Sequence, residues 1–251
     1  MRVVLGIDAA WTLHHPSGVA LAVEEGAWRL AGVWPSYAAF LNSDVLPTTA
    51  LLIARCVELV GAPPDLVTVD MPLSLDPITG RRASDTGVSR AFAARGAATH
   101  SPTALRPGPV ADRLRADFAA AGYPLLTKGQ PGRLAEVYPH PALIHLMGAD
   151  RRLPYKVARA AKYRPLLPPQ PRKQRLVEQW RAILDRLDCV LPGSSTMLAL
   201  PDPQDRLAAL KAFEDQFDGI ICAWVATEIL DGRATAYGDD RSAIWVPEPP
   251  R

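Results

Sequence analysis

The sequence has few cysteines, and they lack the spacing of a disulfide framework or a metal site. There are three, Cys56, Cys189 and Cys222, and an odd number in mostly apolar surroundings predicts buried free thiols in a reducing compartment. No apolar run approaches the roughly 20 residues of a membrane span. Asp8 interrupts the apolar N-terminal stretch, which is atypical of a signal peptide. We therefore expect a soluble, cytoplasmic protein.

Several catalytic motifs are also missing. There is no G-x-S-x-G element for a hydrolase nucleophile, and no full set of Cys and His ligands at zinc-binding spacing. An actin-like kinase would need glycine-rich phosphate loops in both halves of the chain, and only Gly18 follows the first strand here. The net charge of +2 gives no global electrostatic argument for nucleic acid.

What is present is an alternation of strand-like and helix-like segments typical of an α/β domain. The first three strands are too close in sequence for crossover helices, so they predict an antiparallel meander. A helix before the fourth strand makes that strand parallel to the first. The 25 prolines mark loops, above all at residues 165–171. We predict strands at residues 3–8, 18–24, 28–34, 66–69, 134–138 and, as an edge strand, 243–246; we predict helices at 49–59, 85–95, 110–121, 172–187 and 205–230.

Carboxylates stand at the ends of the two strands predicted to be parallel. Asp8 ends the first and Asp70 follows the fourth, and the carboxyl ends of strands form the binding crevice of an open α/β sheet. Two carboxylates side by side repel each other unless a cation lies between them. The alternative is that each aspartate is a turn residue or a helix cap.

Three further acids are candidates for the same cluster. Asp218 lies at the start of the apolar half of the last helix, and Asp215 precedes it on the same face. Glu136 lies within the strand at 134–138, where an exposed edge position is the alternative. The residues alone therefore favour a metal site at Asp8, Asp70 and Asp218.

Basic residues are concentrated in two stretches. Residues 151–175 hold nine Lys or Arg and no acid, and residues 80–115 hold seven Arg against two Asp. Phosphate contacts are one interpretation and an ordinary solvated surface is the other. The few aromatic residues among them do not support a stacking platform for single strands. The candidate substrate-binding residues are Arg81, Arg82, Lys162 and Arg164.

The chain resembles domain-of-unknown-function family 429, described as predicted nucleases of the RNase H-like fold. The matching pieces, in order, are GIDAAW, VDMPLSL, GRRASD, EVYPHP, KYRP and FDGIICAWVATEILDGRA. The resemblance implies a mixed five-stranded sheet and an acidic cluster for two divalent cations. Carried across by position, that cluster is Asp8, Asp70 and Asp218, with Glu136 and Asp215 beside them.

These observations lead to one expectation with two alternatives. We expect a single RNase H-like domain over residues 1–251, with insertions at about 79–131 and 150–171. Hard oxygen ligands suit Mg²⁺ or Mn²⁺, so we expect two-metal hydrolysis of phosphodiester bonds in DNA or RNA. The alternatives are a non-catalytic nucleic-acid-binding module with the same fold and an actin-like ATP-dependent kinase.

Overall fold

A mixed sheet flanked by helices forms the protein. The computed structural model describes residues 1–11 and 16–249, and in this part of the chain the sheet has seven strands in the order β3-β2-β1-β4-β5-β7-β6. The strands are β1 (Arg2–Asp8), β2 (Gly18–Glu24), β3 (Trp28–Trp34), β4 (Leu66–Val69), β5 (Leu134–Val137), β6 (Ala234–Gly238) and β7 (Ala243–Pro247). The helices are α1 (Tyr37–Leu41), α2 (Thr49–Val60), α3 (Ala83–Phe92), α4 (Pro109–Ala120), α5 (Pro139–Leu146), α6 (Ala160–Tyr163), α7 (Pro169–Val190), α8 (Ser194–Met197) and α9 (Leu207–Leu230), with 3₁₀ turns at Ala93–Arg95 and Val157–Arg159.

The predicted meander and crossover are confirmed. Strands β1, β2 and β3 pair antiparallel in succession, and β4 pairs parallel to β1 with Ile7 opposite Val69. Helix α2 makes the crossover, capped by the Thr48 hydroxyl at its start and by Gly61 in the left-handed region at its end. The carboxyl ends of β1 and β4 therefore lie side by side.

The expectation of five strands is corrected to seven. Strand β7 is not an edge strand, because it pairs parallel to β5 on one side and antiparallel to β6 on the other. Strand β6 forms the edge, and its sequence, Ala-Thr-Ala-Tyr-Gly, lacks the apolar alternation that marks a half-buried strand. The sequence thus gave no signal for the strand that extends the sheet.

Side chains alternate between two cores on opposite faces of the sheet. In β1, Val4 belongs to the core beneath α9, whereas Leu5 and Ile7 belong to the core beneath α2 and α4. The same alternation runs through β4, where Leu66 faces α9 and Val67 faces the other side. This period of two decides where each strand-end acid points.

Helix α9 lies unusually close to the sheet, because glycines face it. A Cβ atom on Gly6 would come within 2.2 Å of the Ala223 amide nitrogen, and one on Gly18 within 1.8 Å of the Asp215 carbonyl oxygen. No side chain fits at either position. The close approach brings the acids of α9 against the ends of β1 and β2.

Two further expectations need correction. Cys189 is exposed, whereas Cys56 and Cys222 are buried as predicted, because Cys189 lies on the outer side of α7. Residues 165–171 are not all loop, since α7 begins at Pro169, where the first helical turn needs no amide donor. Within residues 1–11 and 16–249, no helix has both the length and the apolarity to cross a bilayer.

Candidate active site

The two strand-end aspartates lie next to each other at the carboxyl edge of the sheet. The Asp70 amide donates to the Ile7 carbonyl at 2.9 Å, which continues the parallel ladder to the level of Asp8. Asp8 follows Val4 and Gly6 in the alternation, and Asp70 follows Leu66 and Thr68, so both carboxylates lie on the α9 face. Both residues keep part of their surface exposed.

Helix α9 brings its own acids to the same place. Asp218 is fully buried in the middle of the helix, and not at a solvated helix start, while Asp215 is 5 % exposed. Burial raises the pKa of Asp8 well above its usual range, and the charge of Asp218 adds to that shift. The charges of Asp70, Asp215 and Asp218 thus all act on Asp8.

A lysine that the sequence did not single out lies among these acids. The Lys156 ammonium contacts the Asp218 carboxylate and lies 3.7 Å from Glu214. Burial disfavours its charge, but the surrounding carboxylates outweigh that cost and hold the Lys156 pKa well above its usual range. Lys156 therefore supplies a positive charge to the cluster.

The backbone on either side of Lys156 is firmly anchored. Tyr155 is fully buried, its hydroxyl donates to Asp218 at 2.9 Å, and its carbonyl accepts from the Trp180 indole at 2.9 Å. On the other side, the Val157 amide donates to Glu214. These contacts leave the Lys156 side chain little choice of direction.

The acids differ in how far they are neutralised. Asp215 pairs with Lys211 on the preceding turn of α9, and both Asp218 oxygens are engaged by Tyr155 and Lys156. Burial raises the pKa of Asp70 to about 7, although Lys156 opposes the shift. Of these four aspartates, Asp8 and Asp70 are therefore the two that form no ion pair with a described residue.

This arrangement bears on the expected metal site. Among the described residues, no group of three or more His, Cys, Asp or Glu side chains is arranged to hold a metal ion. The donor pair that fits a cation is Asp8 and Asp70, because Mg²⁺ is commonly held by one or two carboxylates, waters and substrate phosphates. Asp218 does not fit as a ligand while Lys156 and Tyr155 occupy its oxygens.

Glu136 lies on the opposite face of the sheet. In β5 it comes two residues after Leu134 and therefore lies on the same face, towards the core beneath α2 and α4, and its carboxylate accepts from the Leu73 amide at 2.8 Å. Arg82 pairs with both Glu136 and Asp85, and all three side chains are buried. Burial raises the Glu136 pKa to about 7, against the opposing charge of Arg82. The alternation thus places Glu136 on the face opposite Asp8 and Asp70, although its charge still contributes to the raised Asp70 pKa.

The candidate phosphate-binding residues also separate. The Arg82 guanidinium is buried between carboxylates, which favours a structural role. Arg81 donates to the Ser89 and Ser101 hydroxyls and to the Asp85 carbonyl. Arg164 has a buried Nη1 atom with no hydrogen-bond partner among the described residues.

Lys162 lines a basic pocket of about 450 Å³. The pocket has five cationic side chains, and no acid is among the described residues that line it. We call it the basic pocket and define it by Arg95, Arg151, Arg152, Arg159, Lys162 and Tyr163.

Sequence reasoning missed Lys156 and the convergence of the basic pocket. The basic run at residues 151–175 predicted a cationic surface, but the sequence does not show which of its nine Lys and Arg side chains faces the interior. The two aromatic residues within that run, Tyr155 and Tyr163, were the local signal: Tyr155 precedes Lys156, and Tyr163 lines the pocket. Arg95 comes from a different stretch, 55 residues before Asp150, whose carbonyl it contacts.

Comparison with known families gives one match. The family model described as "Protein of unknown function (DUF429)" matches residues 6–242, which is nearly the whole chain. The chain belongs to this family. Searches against curated proteins and against solved structures found no match. The matched range includes Asp8, Asp70, Lys156 and Asp218, so the whole site lies within the family domain.

Proposed function

We propose that this member of family DUF429 is a nuclease that hydrolyses phosphodiester bonds of nucleic acid. The observation that carries the proposal is the presence of two chemistries within electrostatic reach of Tyr138. Asp8 and Asp70 form no ion pair with a described residue, the basic pocket has no acid among its described lining residues, and the charges of Asp70 and of the pocket residues Arg152 and Arg159 all act on Tyr138. Hydrolysis of a phosphate ester uses both kinds of group, since cations hold the negatively charged phosphate while carboxylates support the attack of a water molecule on its phosphorus.

The RNase H-like fold is part of this proposal. Its support is the set of five strands β3, β2, β1, β4 and β5, an antiparallel meander followed by parallel strands, with β7 and β6 added at one side. This strand order is consistent with the mixed five-stranded core that the family resemblance implies, and it supports that part of the proposal. Fold alone does not establish a reaction, so the proposal depends on the residues of the site.

Asp8 and Asp70 would hold a divalent cation, Mg²⁺ or Mn²⁺, which would activate a water and stabilise the leaving oxygen. A second cation would require Asp218 to exchange Lys156 for the metal. In the arrangement described here, Asp218 and Tyr155 instead position Lys156, and Lys156 lowers the repulsion between the aspartates. Asp215 and Glu136 act as supporting residues, through Lys211 and Arg82 respectively.

One observation favours the alternative of a non-catalytic nucleic-acid-binding module. Lys156 already supplies an internal positive charge to the acids, so the cluster does not depend on a metal to be neutralised. A module of this kind would bind nucleic acid through the basic pocket without cutting it. The two functions differ in a single measurable property, cleavage.

The test is cleavage of labelled single-stranded, duplex and DNA–RNA hybrid oligonucleotides with Mg²⁺ or Mn²⁺. We expect the wild-type protein to cut at least one substrate, and Asp8→Asn and Asp70→Asn to slow cleavage at least about a hundredfold. Asp117→Asn, which removes an exposed carboxylate on α4, is the matched control and should cut normally. If the wild type binds an oligonucleotide but cuts none, the binding module replaces the nuclease.

A further inference from the structure

We infer that the basic pocket binds the terminal phosphate of a nucleic-acid strand, so that the protein works from a strand end. The inference rests on the proposed function, because that function makes nucleic acid the ligand. The pocket is separate from the acids themselves, and it specifies which part of the strand is recognised. The ligand chemistry is a phosphate monoester.

The charge of the basic pocket calls for a multiply charged anion. None of Arg95, Arg151, Arg152, Arg159 and Lys162 forms an ion pair with a described carboxylate, whereas arginines elsewhere, such as Arg175 and Arg241, do. Five convergent cations repel one another, and an anion relieves that repulsion. A phosphate monoester carries close to two negative charges near pH 7, and a diester within a strand carries one. The monoester is therefore the better match.

The pocket is also preorganised. The Arg95 guanidinium donates to the carbonyls of Ala149 and Asp150 at 2.6 and 3.2 Å. In return, the Arg152 amide donates to the Arg95 carbonyl at 2.8 Å, so the segment around Arg95 and the segment 149–152 are held together by hydrogen bonds in both directions. Two segments distant in sequence are thereby fixed against each other. The Arg95 guanidinium is thus held in place, and a fixed, planar guanidinium suits the geometry of phosphate oxygens.

Two donors in the basic pocket lack partners. The Tyr163 hydroxyl and the Arg152 Nε atom are buried, and neither has a hydrogen-bond partner among the described residues. Buried donors without partners cost free energy, and a bound phosphate would satisfy them. A volume of about 450 Å³ is enough for a terminal nucleotide.

The position of the pocket connects it to the acids. Burial raises the Tyr138 pKa to about 12, and the groups that modulate it include Arg152 and Arg159 from the pocket as well as Asp70 and Lys156 from the site. Tyr138 thus lies within electrostatic reach of both. In sequence, Lys156 falls between Arg152 and Arg159.

The experiment measures binding by fluorescence anisotropy in EDTA, so that cleavage does not interfere. The probes are one labelled 12-nucleotide strand with a 5′-phosphate, a 3′-phosphate or only hydroxyl ends, and a free nucleoside monophosphate serves as competitor. We expect either the 5′-phosphorylated or the 3′-phosphorylated strand to bind about tenfold more tightly than the strand with only hydroxyl ends. The pocket variant is Arg151→Gln with Lys162→Gln, both exposed residues. The control is Arg113→Gln with Arg175→Gln, which removes the same charge elsewhere.

The preference for a phosphorylated end should disappear in the pocket variant and persist in the control. Equal binding of all three strands by the wild type would overturn the inference, and so would a preference that survives in the pocket variant. A free monophosphate that competes as well as the phosphorylated strand would overturn the assignment to strand ends. Cleavage that depends on Asp8 but not on the end group would refute this inference alone. A pocket-dependent preference without any cleavage would refute only the nuclease.

Discussion

At the scale of single residues, Asp70 ties the stability of the protein to pH. Its pKa is about 7 in the folded protein against 3.8 ordinarily, because burial disfavours the carboxylate. Between these values the folded state holds a proton that the unfolded state has lost. The contribution of the Asp70 proton to the free energy of unfolding is therefore complete below about pH 4, and it is lost as the pH rises through about 7.

We expect the free energy of unfolding in EDTA to fall less steeply between pH 5 and 8 in Asp70→Asn than in the wild type. The difference should be on the order of 1–2 kcal/mol, since a shift of one pKa unit corresponds to about 1.4 kcal/mol and Asp70 is coupled to its neighbours. Urea unfolding at several pH values measures it. Parallel curves for wild type and variant would contradict the shifted pKa. Asp117→Asn should follow the wild type.

Lys156 and Asp218 form the second residue-scale prediction. Lys156→Met leaves the Asp218 carboxylate buried without its ammonium partner, which should cost about 3–5 kcal/mol of unfolding free energy. The double variant Lys156→Met with Asp218→Asn should lose less than the sum of the single variants, because the unpaired charge is gone. A double-mutant cycle by urea unfolding measures this coupling. Strictly additive losses would mean that the pair does not act as a unit.

At the scale of elements, the position of α9 depends on Gly6 in β1 and Gly18 in β2, because the absence of side chains there lets the helix pack directly on the sheet. Gly18→Ala would place a Cβ atom 1.8 Å from the Asp215 carbonyl, so the helix must shift. We expect a loss of about 1–3 kcal/mol in unfolding free energy. Oligonucleotide cleavage should fall as well, because Asp218 and Lys156 move away from Asp8.

Gly80→Ala is the control for this prediction, since a Cβ atom there meets no other atom within 4 Å. Unfolding in urea and cleavage under identical conditions compare the two variants. Wild-type behaviour of Gly18→Ala would show that α9 tolerates a wider separation from the sheet. The close packing would then not be what positions the acids.

At the scale of the whole molecule, charge is distributed unevenly. The net charge is only +2, yet five cations without an ion-pair partner among the described residues line the basic pocket, with Lys162 among them and Arg164 close by in sequence. Nucleic-acid binding should therefore depend on salt through this surface far more than the net charge suggests.

We expect Lys162→Ala with Arg164→Ala to weaken oligonucleotide binding and to reduce the slope of log K against log salt concentration by about 1–2, since each lost phosphate contact removes nearly one unit. Anisotropy titrations between low and moderate salt measure the slope. An unchanged slope would assign these cations to ordinary solvated surface. Arg113→Ala with Arg175→Ala should leave the slope as in the wild type.

The sequence by itself determined the elements whose signals are local. Apolar runs, turn glycines and helix periodicity predicted the meander, the parallel β4 and the long apolar α9, and the acids after β1 and β4 predicted a site at their carboxyl ends. Family motifs identified the same acids. These features follow from neighbours in the chain, so one sequence suffices to read them.

The tertiary structure decided what depends on residues distant in sequence. Because side chains in β5 alternate between the two faces of the sheet, Glu136 lies on the face opposite Asp8 and Asp70, where Arg82 pairs with it. The anchoring of Tyr155 by Trp180 and Asp218 turned Lys156 inward among the acids, although the chain around it is basic throughout. The pairing of β7 with β5 placed it inside the sheet and not at its edge. The direction of a charged side chain depends on which partner the packed chain offers it, and no local pattern encodes that partner.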